Sequence, residues 1–397
     1  MLTNALVATV LLNVLVMANQ LGSDNQPTGL THDSSTDPAA SFAATSPQPA
    51  PVIAPSAYAI PAGAVSVSNS SDLLAALAGT MPRDIVLASG VYDNDAPFND
   101  RNGHRLYSET LGGAVLRAGL VLGGNWGPGN GLVRGVSFDV SDPSKTAYNA
   151  IVFVWGAAGR GAHILDTTFY GHSAVGNAIL VREPEGLMVQ RVKVRDFNSN
   201  GVLVDANAGP RTLTTRPLLE DLDVANVSFP TPRTSNGTAE ACVWIGNTST
   251  VRRVVVRNCA WMGIWTGDAD AGSLHEDLDI DGTPVGVYLE HFTSGTTLQR
   301  MHIGPNVGLG VICEWADPGW GSRPACVDDI IQDSTIASTD IGVGLDQGTT
   351  RTTIRRVTFI GQRLAAIVDF AGIDNAYYDN DYSGIAPDAV PVSYNHP

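Results

Sequence analysis

The chain has 397 residues, 39 acidic against 23 basic side chains, a formal charge of -16 and only two lysines, Lys145 and Lys193. Phosphate binding needs clustered Lys and Arg, so a nucleic-acid partner is excluded, and a polyanionic substrate would be repelled unless metal ions intervened. A neutral glycan faces no such barrier, and 42 glycines with 16% charged residues suit short strands joined by tight corners.

Residues 1–18 read as a signal peptide. The apolar run Ala5 to Ala18 has the length of a signal core, Val16-Met-Ala18 is a cleavage site, and the run is too short for a bilayer span. No Lys or Arg precedes Arg83, so the basic segment that usually opens a signal peptide is missing. Residues 19–57, rich in Pro, Ser, Thr and Ala, read as a disordered linker. The expected localisation is secreted or cell surface, with no membrane span in the mature chain.

The remainder, 58–397, reads as one domain. Ser70 to Gly79 predicts a short amphipathic helix with a Ser or Asp cap, and Arg83-Asp-Ile-Val-Leu-Ala-Ser-Gly-Val-Tyr92 a strand and turn. Strands follow at Gly119–Gly123, Gly135–Val140, Asn149–Val154, Asn177–Arg182 and Gly201–Asp205. Long loops are expected between Asp205 and Cys242. Asn226, Asn236 and Asn247 open glycosylation sequons.

From Gly263 onward one short pattern recurs: Gly263-Ile-Trp-Thr-Gly267, Gly286-Val-Tyr-Leu-Glu290, Gly310-Val-Ile-Cys-Glu314, Gly342-Val-Gly-Leu-Asp346 and Ala365-Ala-Ile-Val-Asp369. Their first residues are 23, 24, 32 and 23 positions apart. A second apolar pattern runs out of phase with it, through Leu222, Val254, Leu278, Met301, Ile330 and Val357. Repeats of this length with at least two strands each define a solenoid in which each coil buries its apolar face on the next. The fold class is therefore all-β: a single-stranded right-handed parallel β-helix with an N-terminal capping helix, its irregular end covering the last coil from about 373.

Asp84-Ile-Val-Leu and Gly90-Val-Tyr92, read with the preceding helix and the coils, resemble the opening of the pectin-lyase-like β-helix superfamily. The resemblance covers roughly residues 70–380 and concerns architecture. Asn-Thr-Asp, Gly-His-Gly and Arg-Ile-Lys, the polygalacturonase signatures, are missing, and no residue is carried over by motif.

Alternation along a strand sends Val287 and Leu289 inward and Tyr288 and Glu290 outward. By the same phase Glu290, Glu314, Asp346 and Asp369 form one outward acidic column, which Asp205 and Arg182 continue three and four coils earlier. Coils about 4.8 Å apart put neighbouring carboxylates within about 5 Å and alternate ones within about 10 Å, separations that suit glycoside hydrolysis. Glu290, Glu314 and Asp346 are the candidate catalytic residues. Arg182, Asp205, Trp265, Tyr288, His291, Trp315 and Asp369 are the candidate substrate-binding residues, with Trp320 in the same loop, since sugar faces stack on aromatic rings. An acidic solvated face would produce the same column, and Trp244, on the phase of Cys242, reads as core.

The leading expectation is a polysaccharide-cleaving glycoside hydrolase needing no cofactor. The alternatives are a calcium-assisted lyase with Arg182 or His291 as base, and a non-catalytic glycan-binding or adhesion solenoid. Asp268, Asp270, Asp277, Asp279 and Asp281 offer oxygens that could hold calcium. Cys313 and Cys326 bracket the longest repeat and fit a disulfide; Cys242 and Cys259 are either a second disulfide or two buried thiols.

Overall fold

The computed structural model describes residues 59–394 except 125–128, 205–212, 229–240, 268–270, 291–292, 314–325, 347 and 371. The chain winds as a right-handed parallel β-helix, the architecture that the pectin-lyase-like resemblance implies. A 19-stranded sheet, sheet 1, and a 12-stranded sheet, sheet 2, run along its axis, and successive coils pair in parallel.

The helix Ser70–Leu77 lies at the N-terminal end and buries Leu73, Ala76 and Leu77. Its cap is Asn69, one residue earlier than the sequence predicts, whose side chain accepts from the Asp72 amide, satisfying an amide that lacks a helical partner.

Strands of sheet 2 are short, and their side chains do not alternate simply. In Val285–Leu289, Val287 and Leu289 join the interior core while Val285 and Tyr288 join a separate outer cluster. The second position of the rung is inward as well, filled by Ala178, Cys242 and Ala366 on three coils and on five others by Gly201, Gly263, Gly286, Gly310 and Gly342. A Cβ at any of the last four would lie 2.3–2.6 Å from the carbonyl oxygen of the next coil. The recurrent Gly-Val thus reflects close approach between coils.

Sheet 1 strands such as Leu218–Val227 and Thr250–Cys259 bend at two residues of positive φ. On successive coils the first of these is Asp166, Arg191, Asp221, Arg253, Asp277, Arg300, Asp333 and Arg356, with φ of 52–57°. Left-handed backbone disfavours side chains with a Cβ. Here the signs alternate, and each Arg reaches back to the preceding Asp: Arg253 Nε to Asp221 at 2.6 Å, Arg300 Nε to Asp277 at 2.7 Å, Arg356 Nε to Asp333 at 2.6 Å, and Arg191 to Asp166. A second left-handed corner stacks Asp196, Asn226 and Asn258 through amide bonds of 2.9 and 3.1 Å. The Asn226 sequon is therefore committed to the fold, and Asn247 is buried.

The acidic triplet Asp277, Asp279 and Asp281 starts at the first of these corners and keeps the outward phase, with Leu278 and Ile280 between its members in the core. Arg300 holds Asp277, Arg257 and His302 hold Asp279, and Asn306 holds Asp281, which fills with cationic side chains the place a calcium ion would need beside the first two.

Cys242 and Cys259 form a disulfide inside the coil, with Cα atoms 5.8 Å apart. Cys313 and Cys326 are free buried thiols, not the bridge the sequence suggests. His275 stands in the interior stack between Val251 and Leu298, and burial pushes its pKa down to about 4. The repeat does not end near 373: Ala376–Tyr378 and Val390–Tyr394 pair with Thr353–Arg355 and Ala365–Asp369. No helix among the described residues is long and apolar enough to cross a membrane.

Candidate functional site

The fourth position of each sheet 2 rung faces outward. In register it runs Val121, Phe153, Leu180, Leu203, Trp244, Trp265, Tyr288, Ile312, Gly344 and Val368. Trp244 belongs here, contrary to its expected place in the core, because Cys242 and Val243 are both inward and the following residue turns out. Its ring stacks on Trp265 at 4.2 Å with 1° between planes. Tyr288 meets Trp265 edge-on at 5.8 Å, a geometry that aromatic quadrupoles favour.

The next residue but one on each coil is the position at which the sequence predicts the acidic column. Backbone bonds carry the register past the strand ends, from Gly267 N to Ile245 O, Glu290 N to Thr266 O, Asp346 N to Cys313 O and Phe370 N to Leu345 O. Glu290 and Asp346 thus lie two rungs apart, and position 370, not Asp369, continues the register.

Glu290 is 5% exposed and accepts a 3.0 Å hydrogen bond from Trp265 Nε1. Its side chain folds back over Gly267, where a Cβ would sit 2.6 Å from the Glu290 Cβ. The carboxylate therefore lies against the indole instead of projecting into solvent, and only glycine at 267 leaves room for it. Asp346 is half-buried and its carbonyl oxygen accepts from the Thr349 amide and hydroxyl at 3.2 and 2.7 Å.

The other predicted residues divide. Asp369 pairs in register with Leu345, an inward position, and its carboxylate accepts from Gly372 N, Asn375 Nδ2 and Tyr377 OH at 2.9, 3.3 and 2.5 Å. It fastens a turn and leaves the column, because the gapless alignment of Ala365 with Gly342 is one residue out of register. Arg182 is exposed, with its guanidinium 5.5 Å from the Tyr148 ring centroid. Four coils separate it from Glu290, roughly 19 Å, so the two do not meet. Tyr288 and Trp265 are buried beside Glu290. Asp205, His291, Glu314, Trp315, Trp320, Asp268 and Asp270 lie outside the described residues.

One cluster has no counterpart in the sequence reading. Cys313, the inward residue directly before position 314, lies with Cys326 and Asp329 so that their Sγ and carboxylate atoms are within 4.8 Å of one another. Burial and the charges of Asp329 and Asp346 push the Cys313 thiol up, and burial pushes Cys326 well up. The signal available was the spacing Cys326-x-x-Asp329 on the coil after Cys313.

No family model matches the chain, and no curated protein matches it. Among solved structures it is similar to a PL6 alginate lyase in complex with a trisaccharide, at 12% identity and a TM-score of 0.47, over 83% of this chain and 88% of that one. It is also similar to the A-module of the Azotobacter vinelandii mannuronan C-5 epimerase AlgE4, at 14% identity and a TM-score of 0.46, over 83% and 98%. PfbA, a surface adhesin of Streptococcus pneumoniae, matches at 11% identity and a TM-score of 0.44, over 81% and 93%. At these identities the likeness concerns the fold alone.

Proposed function

We propose that this chain is an exported, carbohydrate-active β-helix protein that hydrolyses a polysaccharide at the column of Glu290, Glu314 and Asp346. The reading is supported by Glu290 and Asp346, which directly follow the strands Val285–Leu289 and Ile341–Leu345 two coils apart, with Glu290 oriented by the indole of a stacked Trp244–Trp265 pair. Glycosidic cleavage requires two carboxyl groups flanking one bond, about 5 Å apart for a covalent intermediate or about 6.5–9.5 Å apart for direct attack by water. Adjacent coils suit the first spacing, and coils two apart suit the second more nearly. One carboxyl donates a proton to the leaving oxygen while the other acts as nucleophile or base, and no metal is required for either route. A disulfide in the coil suits the oxidising compartment that export implies.

Arg182 is too far from the acids to serve as a lyase base with them. The burial of Glu290 and Tyr288 favours a second reading, a glycan-binding or adhesion solenoid without turnover. A panel of neutral and acidic glycans, with and without calcium, separates these when reducing ends and unsaturated products are read together. Hydrolysis predicts new reducing ends without unsaturation, and a fall in rate of about 10²–10⁴ in Glu290→Gln, Glu314→Gln or Asp346→Asn. Saturable binding with no product supports the second reading, and unchanged rates in all three variants would remove the column from catalysis.

A further inference from the structure

We propose that Cys313, Cys326 and Asp329 bind a thiophilic divalent cation, zinc, inside the coil. The three donors come from different parts of the chain: Cys313 ends the strand Leu309–Cys313, Cys326 begins the strand Cys326–Val327, and Asp329 follows at the next corner. All three are at most 1% exposed, and their donor atoms lie within 4.8 Å of one another. Zinc with bonds of about 2.3 Å to sulfur and about 2.0 Å to oxygen needs tetrahedral corners roughly 3.3–3.8 Å apart, inside that limit. Two thiolates select zinc over calcium or magnesium, which take hard oxygen donors.

The surroundings of Asp329 strengthen the case. The residue preceding the sheet 1 strand on successive coils is Ser249, Ser273, Thr296, Asp329, Thr352 and Asn375. Along this interior ladder a backbone amide donates to the side-chain oxygen one coil on: Ser249 N to Ser273 Oγ at 2.7 Å, Thr296 N to Asp329 Oδ1 at 2.7 Å, and Thr352 N to Asn375 Oδ1 at 2.9 Å. Serine and asparagine fill that role without charge, so the ladder alone does not call for a carboxylate. The carboxylate occurs on the rung beside the two thiols. Thr293 Oγ1 also donates to its Oδ2 at 3.0 Å, so both oxygens are oriented, as carboxylate ligands are by outer-shell donors.

Zinc displaces the two thiol protons when it binds, so affinity rises with pH. The bound ion would tie Cys313 to Cys326 across the twelve intervening residues that include Glu314. This inference does not depend on hydrolysis at Glu314, and metal content is read without an activity assay.

The test uses the full chain, exported by its host and purified without chelators. Elemental analysis is expected to find about one zinc per chain, and two thiols to react with a chromogenic reagent only after denaturation with chelator. Cobalt exchanged into the site is expected to give a thiolate charge-transfer band that Cys326→Ser loses. Asp329→Asn keeps an acceptor in the ladder and is expected to weaken zinc binding about tenfold or more, measured against a chromophoric chelator; it also reports if Cys326→Ser fails to fold. No titratable thiols after denaturation would mean a disulfide and overturn the proposal. So would titratable thiols without metal, or zinc binding unchanged in folded Cys326→Ser or in Asp329→Asn.

Discussion

The outer faces of the two sheets solve the same problem in opposite ways. Both are built from parallel strands one coil apart, and both must stack like on like. Sheet 1 alternates Asp and Arg at its left-handed corner, so that stacking brings opposite charges together and the face stays wet. Sheet 2 stacks apolar and aromatic residues, and Trp265, Tyr288 and Val368 are nearly as buried outside the coil as Val287 and Leu289 are inside it. The difference teaches that a solenoid repeat specifies a position on each coil, and chemistry at that position is multiplied along the axis. The expected acidic column departs from both solutions: at positions 290, 314 and 346 the sequence places acid after acid.

The largest effect is expected on the dry face. Trp265→Ala removes the ring between Trp244 and Tyr288 and the donor to Glu290, and should cost about 3–5 kcal/mol, read from denaturant midpoints. Trp265→Phe, which keeps most of the packing and drops the N–H, should cost about 1–3 kcal/mol; equal losses in both would show that the hydrogen bond, not the stack, dominates.

Interior features come next. Cys242→Ala with Cys259→Ala opens a 17-residue loop and should cost about 3 kcal/mol. His275 titrates near 6.5 when unfolded and at about 4 when folded. As pH falls through that window the unfolded chain takes up a proton that the folded chain refuses, so stability declines by roughly 3 kcal/mol. His275→Leu should flatten that part of the pH profile while leaving the carboxylate titrations in place.

The wet face should respond least and show the steepest internal gradient. Arg253→Gln leaves buried Glu220 and Asp221 short of a guanidinium and should cost about 1–3 kcal/mol. Arg356→Gln, at an exposed rung, should leave the melting temperature within measurement error at 0.5 M salt, because screening and solvent already compete for that pair. Comparable losses at both rungs would mean the ladder acts as one cooperative unit.

Much of the coil was legible because a stacked fold writes its period into the chain. Gly286-Val-Tyr-Leu-Glu290 set the phase of Val287, Tyr288 and Leu289 correctly, and the register of Arg182, Glu290 and Asp346 followed from it. Trp244 was misplaced because strict alternation ignores the extra inward residue in each sheet 2 rung, and Asp369 because its rung was aligned one residue out of register; a one-residue shift moves a side chain to the other face.

The cysteines mark the boundary most sharply. Sequence spacing alone established four cysteines in two local pairs, a repeat and an aromatic neighbourhood, because these depend on order and period along the chain. Which thiols bond, which way Glu290 turns, and that Asp329 joins Cys313 and Cys326 were decided by the tertiary structure. Those outcomes depend on distances of a few ångströms between coils, which rest on where each corner bends and on whether a glycine leaves room.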